Sequence, residues 1–369
     1  MSKNNAIHIT YIGRLVPEKG ICLVIDCIKK GRERGYNIVW HICGDGIYME
    51  QFRELEKYEK SDINIYGHVD RQKIDVVLDM TDLVLMPSLF LETFGLVALD
   101  TLERGVPVCG FARGGLSRFI HPSLILDREN PVDSFFHILD TGVFPLQDVS
   151  SLSYDIWIEQ LSVLTDGIDR ILLISDYTSI VGGAEQYLSD ITLALRSIGK
   201  EVDIYGYAGH ATRMMRIWLM CLSPFAFWRG ILLDKKIKQY KPDLIWMQGV
   251  LRYIGPYGVR AISHYHGRKY ITHHDLGLIT PYPSRIYSEG DIPLTPSIGD
   301  WISHGSIHIF TVLALISKWF SISSIWYCLN SDKITHIIPS VWMESYFRCY
   351  TTQTIIVFPH TSQNSKPVK

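Results

Sequence analysis

Two carboxylates, Glu92 and Asp100, stand eight positions apart in the segment Glu92-Thr-Phe-Gly-Leu-Val-Ala-Leu-Asp100. On a helix, eight residues turn through about 800° and return near the starting azimuth about 12 Å further along. Both carboxylates then line one groove. The apolar run Leu83-Val-Leu-Met86 predicts a strand ending at Pro87. A helix starting near Thr93 presents bare N–H groups and a positive dipole end, where a phosphate fits. A phosphate held there, with one carboxylate at each end of the ligand, is the chemistry of a sugar-nucleotide site. The competing reading of Glu92 is an acid at a helix N-cap.

Three glycine clusters surround this segment: Gly13-Arg-Leu-Val-Pro-Glu-Lys-Gly20, Cys43-Gly-Asp-Gly46 and Gly114-Gly-Leu116. Each alone is a turn. In this order they resemble the retaining glycosyltransferases of family 4, which have the GT-B fold: a G-R-L-x-x-x-K-G phosphate loop, a G-x-G segment, an E-x7-E segment and the glycines after the next strand. The resemblance implies that Arg14 and Lys19 hold the donor diphosphate with the backbone N–H groups of Phe94, Gly95 and Leu96. It also implies that Glu92 hydrogen-bonds hydroxyls of the donor sugar. Asp100 takes the ribose-binding position, where the family usually has Glu.

The second half of the chain resembles the family's other domain. Arg170-Ile-Leu-Leu-Ile174 reads as a strand, Gly182-Gly-Ala-Glu185 as a turn opening a helix, and Gly199 to Ile204 as the start of a second strand. Gly182 and Gly183 would bring this backbone against the same diphosphate. Glu185 reads as a helix-start carboxylate and is left out of the site. Further matches are Lys241-Pro-Asp-Leu-Ile-Trp246, Thr272-His-His-Asp275 with Pro281-Tyr-Pro283, Ser331 to Ile337 and Ile355 to His360. His274, directly before Asp275, matches the family's H-D pattern near the transferred sugar and is preferred to His273. Adjacent histidines point apart and do not easily chelate together, and no metal-ligand spacing stands out, so no metal or other cofactor is expected.

The order of the halves is reversed relative to the family. The expected arrangement is a circular permutation with a donor domain over 1–165 and an acceptor-side domain over 166–369. Ser151 to Leu164 would be the family's final helix, which crosses onto the acceptor side, and Thr165 to Asp169 would close the join. Glu92 and His274 are then expected to face one another across a cleft. The alternative is a fusion of two partial glycosyltransferases.

The elements needed to position these residues alternate along both halves. Apolar runs Ile38–Ile42, Ile63–Tyr66, Leu83–Met86 and Val106–Cys109, then Ile171–Ile174, Val202–Tyr205 and Leu244–Met247, suit parallel strands covered on both faces. The fold class is α/β, with two doubly wound Rossmann-like domains, and ligands are expected beyond the carboxyl ends of the strands.

With 36 basic and 38 acidic residues the formal charge is −2, which argues against nucleic acid as a partner. Seven scattered cysteines read as free thiols, and the first residues lack a signal-peptide core, so the expected location is cytoplasmic. The residues Thr361 to Lys369 read as a disordered tail. Ile307 to Leu329 is apolar enough to suggest a membrane span, but Lys318 and its serines favour a buried or interfacial helix pair. Arg213 to Trp218 and Phe227-Trp-Arg229 combine aromatic and basic residues. They suit either a bilayer interface or the acceptor-domain core. The expected function is transfer of a hexosyl unit, with retention, from a nucleotide-diphosphate sugar to a glycan or lipid-linked acceptor, with possible peripheral contact at the inner face of a membrane. Alternatives are a nucleotide-sugar epimerase, a phosphorylase with a pyridoxal-phosphate lysine, or an inactive sugar-nucleotide-binding scaffold.

Overall fold

A computed structural model describes residues 6–58, 62–178, 183–208, 212–280, 309–331 and 333–361. Gly182, Pro281-Tyr-Pro283 and the tail beyond Thr361 lie outside the described residues. The chain divides into two compact units. The first runs to Tyr154 and includes Thr361; the second begins at Asp155 and includes the described residues from there to His360.

The first unit is built on a parallel sheet of five strands: β1 (Ile7–Ile12), β2 (Ile38–Cys43), β3 (Ile63–Gly67), β4 (Leu83–Met86) and β5 (Val108–Gly110), in the order β3-β2-β1-β4-β5. Ile9, Trp40, Ile42, Leu83, Val84 and Leu85 are buried, as strands covered on both faces require. Helices α1 (Ile21–Glu33), α2 (Met49–Tyr58), α3 (Arg71–Leu78), α4 (Leu96–Glu103) and α5 (Pro131–Thr141) connect or follow the strands. The strand order reverses between β1 and β4. Such a switch point opens a crevice beyond the carboxyl ends of those two strands.

In the second unit, β6 (Arg170–Tyr177), β7 (Glu201–Tyr207), β8 (Leu244–Met247), β9 (Arg268–Thr272), β10 (Thr335–Ile338) and β11 (Ile355–Val357) form a six-stranded parallel sheet ordered β11-β10-β9-β8-β6-β7. Its switch point lies between β6 and β8. Its helices among the described residues are α6 (Tyr154–Leu164), α7 (Gly183–Ser197), α8 (Arg213–Leu222), α9 (Phe227–Tyr240), α10 (Gly255–Ser263), α11 (Ile309–Asn330) and the short α12 (Glu344–Arg348). All named strand pairs in both sheets are parallel, which makes the protein α/β as expected.

Several boundaries differ from the sequence reading. The units divide at Tyr154/Asp155, ahead of 165, because α6 packs with the second sheet: Trp157 lies 5.8 Å from the Phe358 ring and 6.4 Å from Tyr187, and Leu161 is fully buried. Strand β5 begins after Pro107, which has no N–H to give a ladder. Helix α4 begins at Leu96 rather than near Thr93, because Gly95 sits in the left-handed region (φ 104°) as its N-cap. Glu92 therefore stands outside the helix, and the eight-residue helical spacing does not place it beside Asp100. The expected helix pair over 307–329 is one helix, α11. Its described faces alternate: Lys318, Ile322, Ile325 and Trp326 are buried while Phe320 and Tyr327 are exposed. Among the described residues, no helix is long and apolar enough to cross a membrane.

Candidate functional site

At the first switch point, the loop after β1 meets the loop after β4. Gly20 forms the N-cap of α1 with φ 70°, and a Cβ there would stand 1.8 Å from the carbonyl oxygen of Pro87. Only glycine permits that approach. The N–H groups of Leu89 and Phe90 both donate to Glu18 O, at 2.9 and 3.3 Å, and tie the two loops together.

This docking carries Lys19 to Glu92. Lys19 Nζ donates to Glu92 Oε1 at 2.5 Å, and Ser88 Oγ donates to the same oxygen at 2.7 Å. Lys19 Nζ also lies 4.6 Å from the centroid of the Phe90 ring. The two charged side chains retain only 21% and 12% of their exposure, so the pair is a charge-assisted contact held largely out of water. Behind it, the buried Tyr11 hydroxyl donates to Arg14 O at 2.7 Å; its acidity is suppressed by burial and by the Glu92 charge.

Glu92 is also fixed through its backbone. Gly115 N–H donates to Glu92 O at 2.6 Å, and Glu92 bridges Gly114 in parallel register. A Cβ on Gly114, at φ 55°, would stand 2.5 Å from Glu92 O. The glycines after β5 therefore serve as the seat for the Glu92 loop.

The remaining residues of the first half are more dispersed. The Arg14 side chain is exposed and 3.7 Å from Glu18 Oε1, at the rim of the same loop. The Phe94 side chain is buried edge-on against Phe119, at 5.2 Å, so only its backbone faces the helix start. Leu96 opens α4, whose first N–H groups lack an intrahelical acceptor. Asp100 accepts from Arg71 Nη2 at 2.9 Å, a pair that helical periodicity within residues 92–100 could not reveal.

In the second unit, His274 follows β9. Its Nε2 pairs with the Gln248 side-chain amide at 3.0 Å. Its ring lies 5.1 Å from Tyr187, edge-on, and 5.6 Å from His360, stacked. Burial pushes His274 down to about 4, so it is neutral near pH 7. His273 turns the other way, into the interior: its Nε2 lies 2.9 Å from His336 Nδ1, between Trp326 and Phe347. The two adjacent histidines thus diverge, as residues in extended backbone do. Asp275 Oδ1 accepts from Gly277 N–H at 2.6 Å and closes a turn. Gly183 is the first residue of α7, and a Cβ there would meet nothing within 4 Å.

Several residues of these surroundings escaped the sequence reading. Ser88 directly follows Pro87 at the predicted end of a strand, a place to which the sequence reading gave no role. Gln248, Tyr187 and His360 come from the end of β8, helix α7 and the segment after β11, and only the strand order brings them to His274. Asp176, at the end of β6, accepts from the N–H groups of Arg252, Tyr253 and Ile254 at 2.8–3.0 Å and holds the loop before α10.

The first unit thus brings an acid, a lysine and a helix N-terminus together at the switch point of a parallel α/β sheet. The family model for glycosyl transferases group 1 matches residues 2–124, which span β1 to β5 and the glycines after it. Residues of the chain are 34% identical over 102 residues to an uncharacterized 41.2 kDa protein in the cps region of Klebsiella pneumoniae, covering 28% of this chain and 26% of that protein. They are 29% identical over 126 residues to a lipopolysaccharide 1,2-N-acetylglucosaminetransferase of Salmonella typhimurium, covering 31% and 33%. A glycogen synthase of Thermodesulfovibrio yellowstonii is 30% identical over 110 residues, covering 30% and 22%. The chain therefore spans at most a third of the length of these relatives. Among solved structures, the lipopolysaccharide outer core galactosyltransferase WaaB superposes with a TM-score of 0.32 at 23% identity, covering 38% of this chain and 40% of that one.

Proposed function

We propose that the protein is a glycosyltransferase that takes a hexosyl unit from a nucleotide-diphosphate sugar and delivers it, with retention, to a glycan or lipid-linked acceptor. The observation that carries this reading is the Lys19–Glu92–Ser88 cluster at the first switch point, inside the segment that matches the group 1 model. As the donor's glycosidic carbon loosens, negative charge gathers on the diphosphate, and catalysis needs fixed positive groups aimed at it. Arg14, Lys19 and the backbone N–H groups of Phe94, Gly95 and Leu96 are assigned that task. Glu92 is assigned to the sugar hydroxyls and Asp100 to the ribose. His274, neutral and paired through Nε2 with Gln248, is assigned to the transferred sugar. These assignments need no metal or other cofactor, since the cationic side chains and helix start supply the charge.

We also propose that the order of the halves is a circular permutation within family 4. Two features support it: α6 packs with the second sheet, and Thr361, beyond β11, donates to Leu152 O at 3.0 Å and so belongs with the first unit. The seven cysteines are free thiols, which suits a cytoplasmic protein working at the inner face of a membrane.

A second reading, sugar-nucleotide binding without transfer, is favoured by the ion pair that occupies Asp100. A thermal-shift screen with a panel of nucleotide-diphosphate sugars tests both readings. At least one donor should raise the melting temperature, and Lys19→Ala should remove most of the shift. If no donor moves it, neither reading stands.

A further inference from the structure

Helix α9 is apolar on two opposite sides over its first two turns. Arg229, Gly230, Leu233 and Ile237 face inward. Phe227, Trp228, Ile231 and Leu232, at positions where a surface helix normally carries polar groups, are 46–63% exposed. Further along the same face the residues become Lys235, Lys238 and Gln239, all exposed. Four-residue steps put Phe227, Ile231 and Lys235 in one line. The outer face is thus an apolar, aromatic strip that ends in lysines.

This strip continues through Phe225 into a large groove on the same unit. The groove has a volume of about 1660 Å³ and is walled by Trp218, Phe225, Tyr257, Ile316, Phe320 and Tyr327, with the exposed Arg260 on its lining. Sites for drug-sized ligands run about 300–1,000 Å³, so the groove exceeds what one small metabolite fills. Trp218, Phe225, Phe320 and Tyr327 are themselves more than half exposed at its walls.

Charge decides among occupants. Among the described side chains of this face, Lys235, Lys236, Lys238 and Arg260 are basic and exposed or half-buried, one, Asp234, is acidic, and Arg229 and Lys318 are buried. Lys236 and Lys238 are paired with Asp203 and Asp234, and Arg229 turns inward to Arg252 O and Tyr253 O. Lys235 and Arg260 remain exposed beside the apolar surface. A second copy docking on this face by two-fold symmetry would set the basic surface against itself. An anionic lipid surface satisfies both features, since aromatic side chains settle at the headgroup boundary and lysines are drawn to its negative potential.

We infer that the outer face of α9 and the adjoining groove form a docking surface for an anionic lipid bilayer, with the aromatic strip lying in the interface and lipid hydrocarbon entering the groove. This goes beyond sugar transfer and is read without donor or turnover. The test is co-sedimentation of the full chain with vesicles of phosphatidylcholine alone and of phosphatidylcholine mixed with phosphatidylglycerol. Binding should appear with the mixed vesicles, weaken as salt rises, and be at least tenfold lower on phosphatidylcholine alone. Lys235→Ala should weaken it about fivefold, and the surface pair Phe227→Ser with Trp228→Ser about tenfold or more, with unchanged circular dichroism and melting. Wild-type protein that stays in the supernatant with both vesicle types overturns the inference. So does a protein whose self-association in sedimentation velocity, not its vesicle binding, is lost in the Phe227/Trp228 variant, because the face would then bind a second copy.

Discussion

Lys19 and Glu92 stand 73 positions apart in the chain and 2.5 Å apart in the fold. They meet because Gly20 lets the loop after β1 rest on Pro87, and because Gly114 and Gly115 hold the Glu92 backbone from the other side. In the function proposed above, the pair supplies the positive group for the diphosphate and the negative group for its sugar.

Because the pair is mostly buried, removing one partner strands the other. Lys19→Ala should cost about 3–5 kcal/mol of stability, whereas Lys19→Met combined with Glu92→Leu should recover most of it. Urea midpoints of the wild type, the two single variants and the pair measure this. A single variant as stable as wild type would mean the contact contributes little to the fold.

Gly20→Ala should destabilise far more than Gly67→Ala. Both have φ near 70°, but a Cβ at Gly20 meets Pro87 O at 1.8 Å, while at Gly67 nothing lies within 4 Å. The expected costs are more than about 3 kcal/mol and about 1 kcal/mol, respectively. Thermal melts of the two variants, side by side, report the difference.

Acid should weaken the second unit. His274 and His336 are pushed down to about 4 by burial, and His273 and His360 are held well below the usual imidazole value by burial and neighbouring imidazoles. Between pH 6.5 and about 4 the unfolded chain takes up protons that the folded unit refuses. Stability is therefore full above pH 6.5 and falls as pH drops toward 4, by up to about 1.4 kcal/mol per pH unit for each imidazole. His273 with His336, and His274 with His360, are in contact, so each pair titrates as a unit. Urea titrations between pH 7 and 4.5, followed by tryptophan fluorescence, should show the midpoint fall. A midpoint that holds steady contradicts the burial of these rings.

The two acids of the first unit should separate in kinetics. Asp100, paired with Arg71 and partly exposed, is proposed to contact the ribose, where contacts count equally in ground and transition states. Asp100→Ala should raise KM with little change in kcat, while Glu92→Gln should lower kcat by about a hundredfold. Initial rates with one identified donor decide this, and the opposite split would reverse the two assignments.

Much of this architecture was legible from local pattern. β4 and β8 stand where the apolar runs Leu83–Met86 and Leu244–Met247 put them, and Gly20 and Gly114 lie in turns where the glycine clusters put them, although the close approaches they make were not read from the sequence. What was not legible depends on contacts between distant segments. The start of α4 moved to Leu96 because Gly95 takes a left-handed conformation fitted against Leu116 and Phe119, which no local pattern within 92–100 encodes. Arg71, Ser88 and Gln248 hold their partners from other loops or helices, and their types alone suggest no role. The apolar run in α11 hid a two-sided helix, because Phe320 and Tyr327 face outward while the equally apolar Ile322 and Ile325 face the core.

The central claim is transfer of sugar from a nucleotide-diphosphate donor at the Lys19–Glu92 site. The most direct measurement is release of nucleoside diphosphate when the purified chain is incubated with each donor and a mixture of glycan and lipid-linked acceptors. The account predicts release with at least one donor, dependent on acceptor, and loss of about a hundredfold or more in Glu92→Gln while donor binding persists. Donor binding without release under any acceptor would reduce the protein to a sugar-nucleotide binder. Release that Glu92→Gln leaves intact would contradict the site.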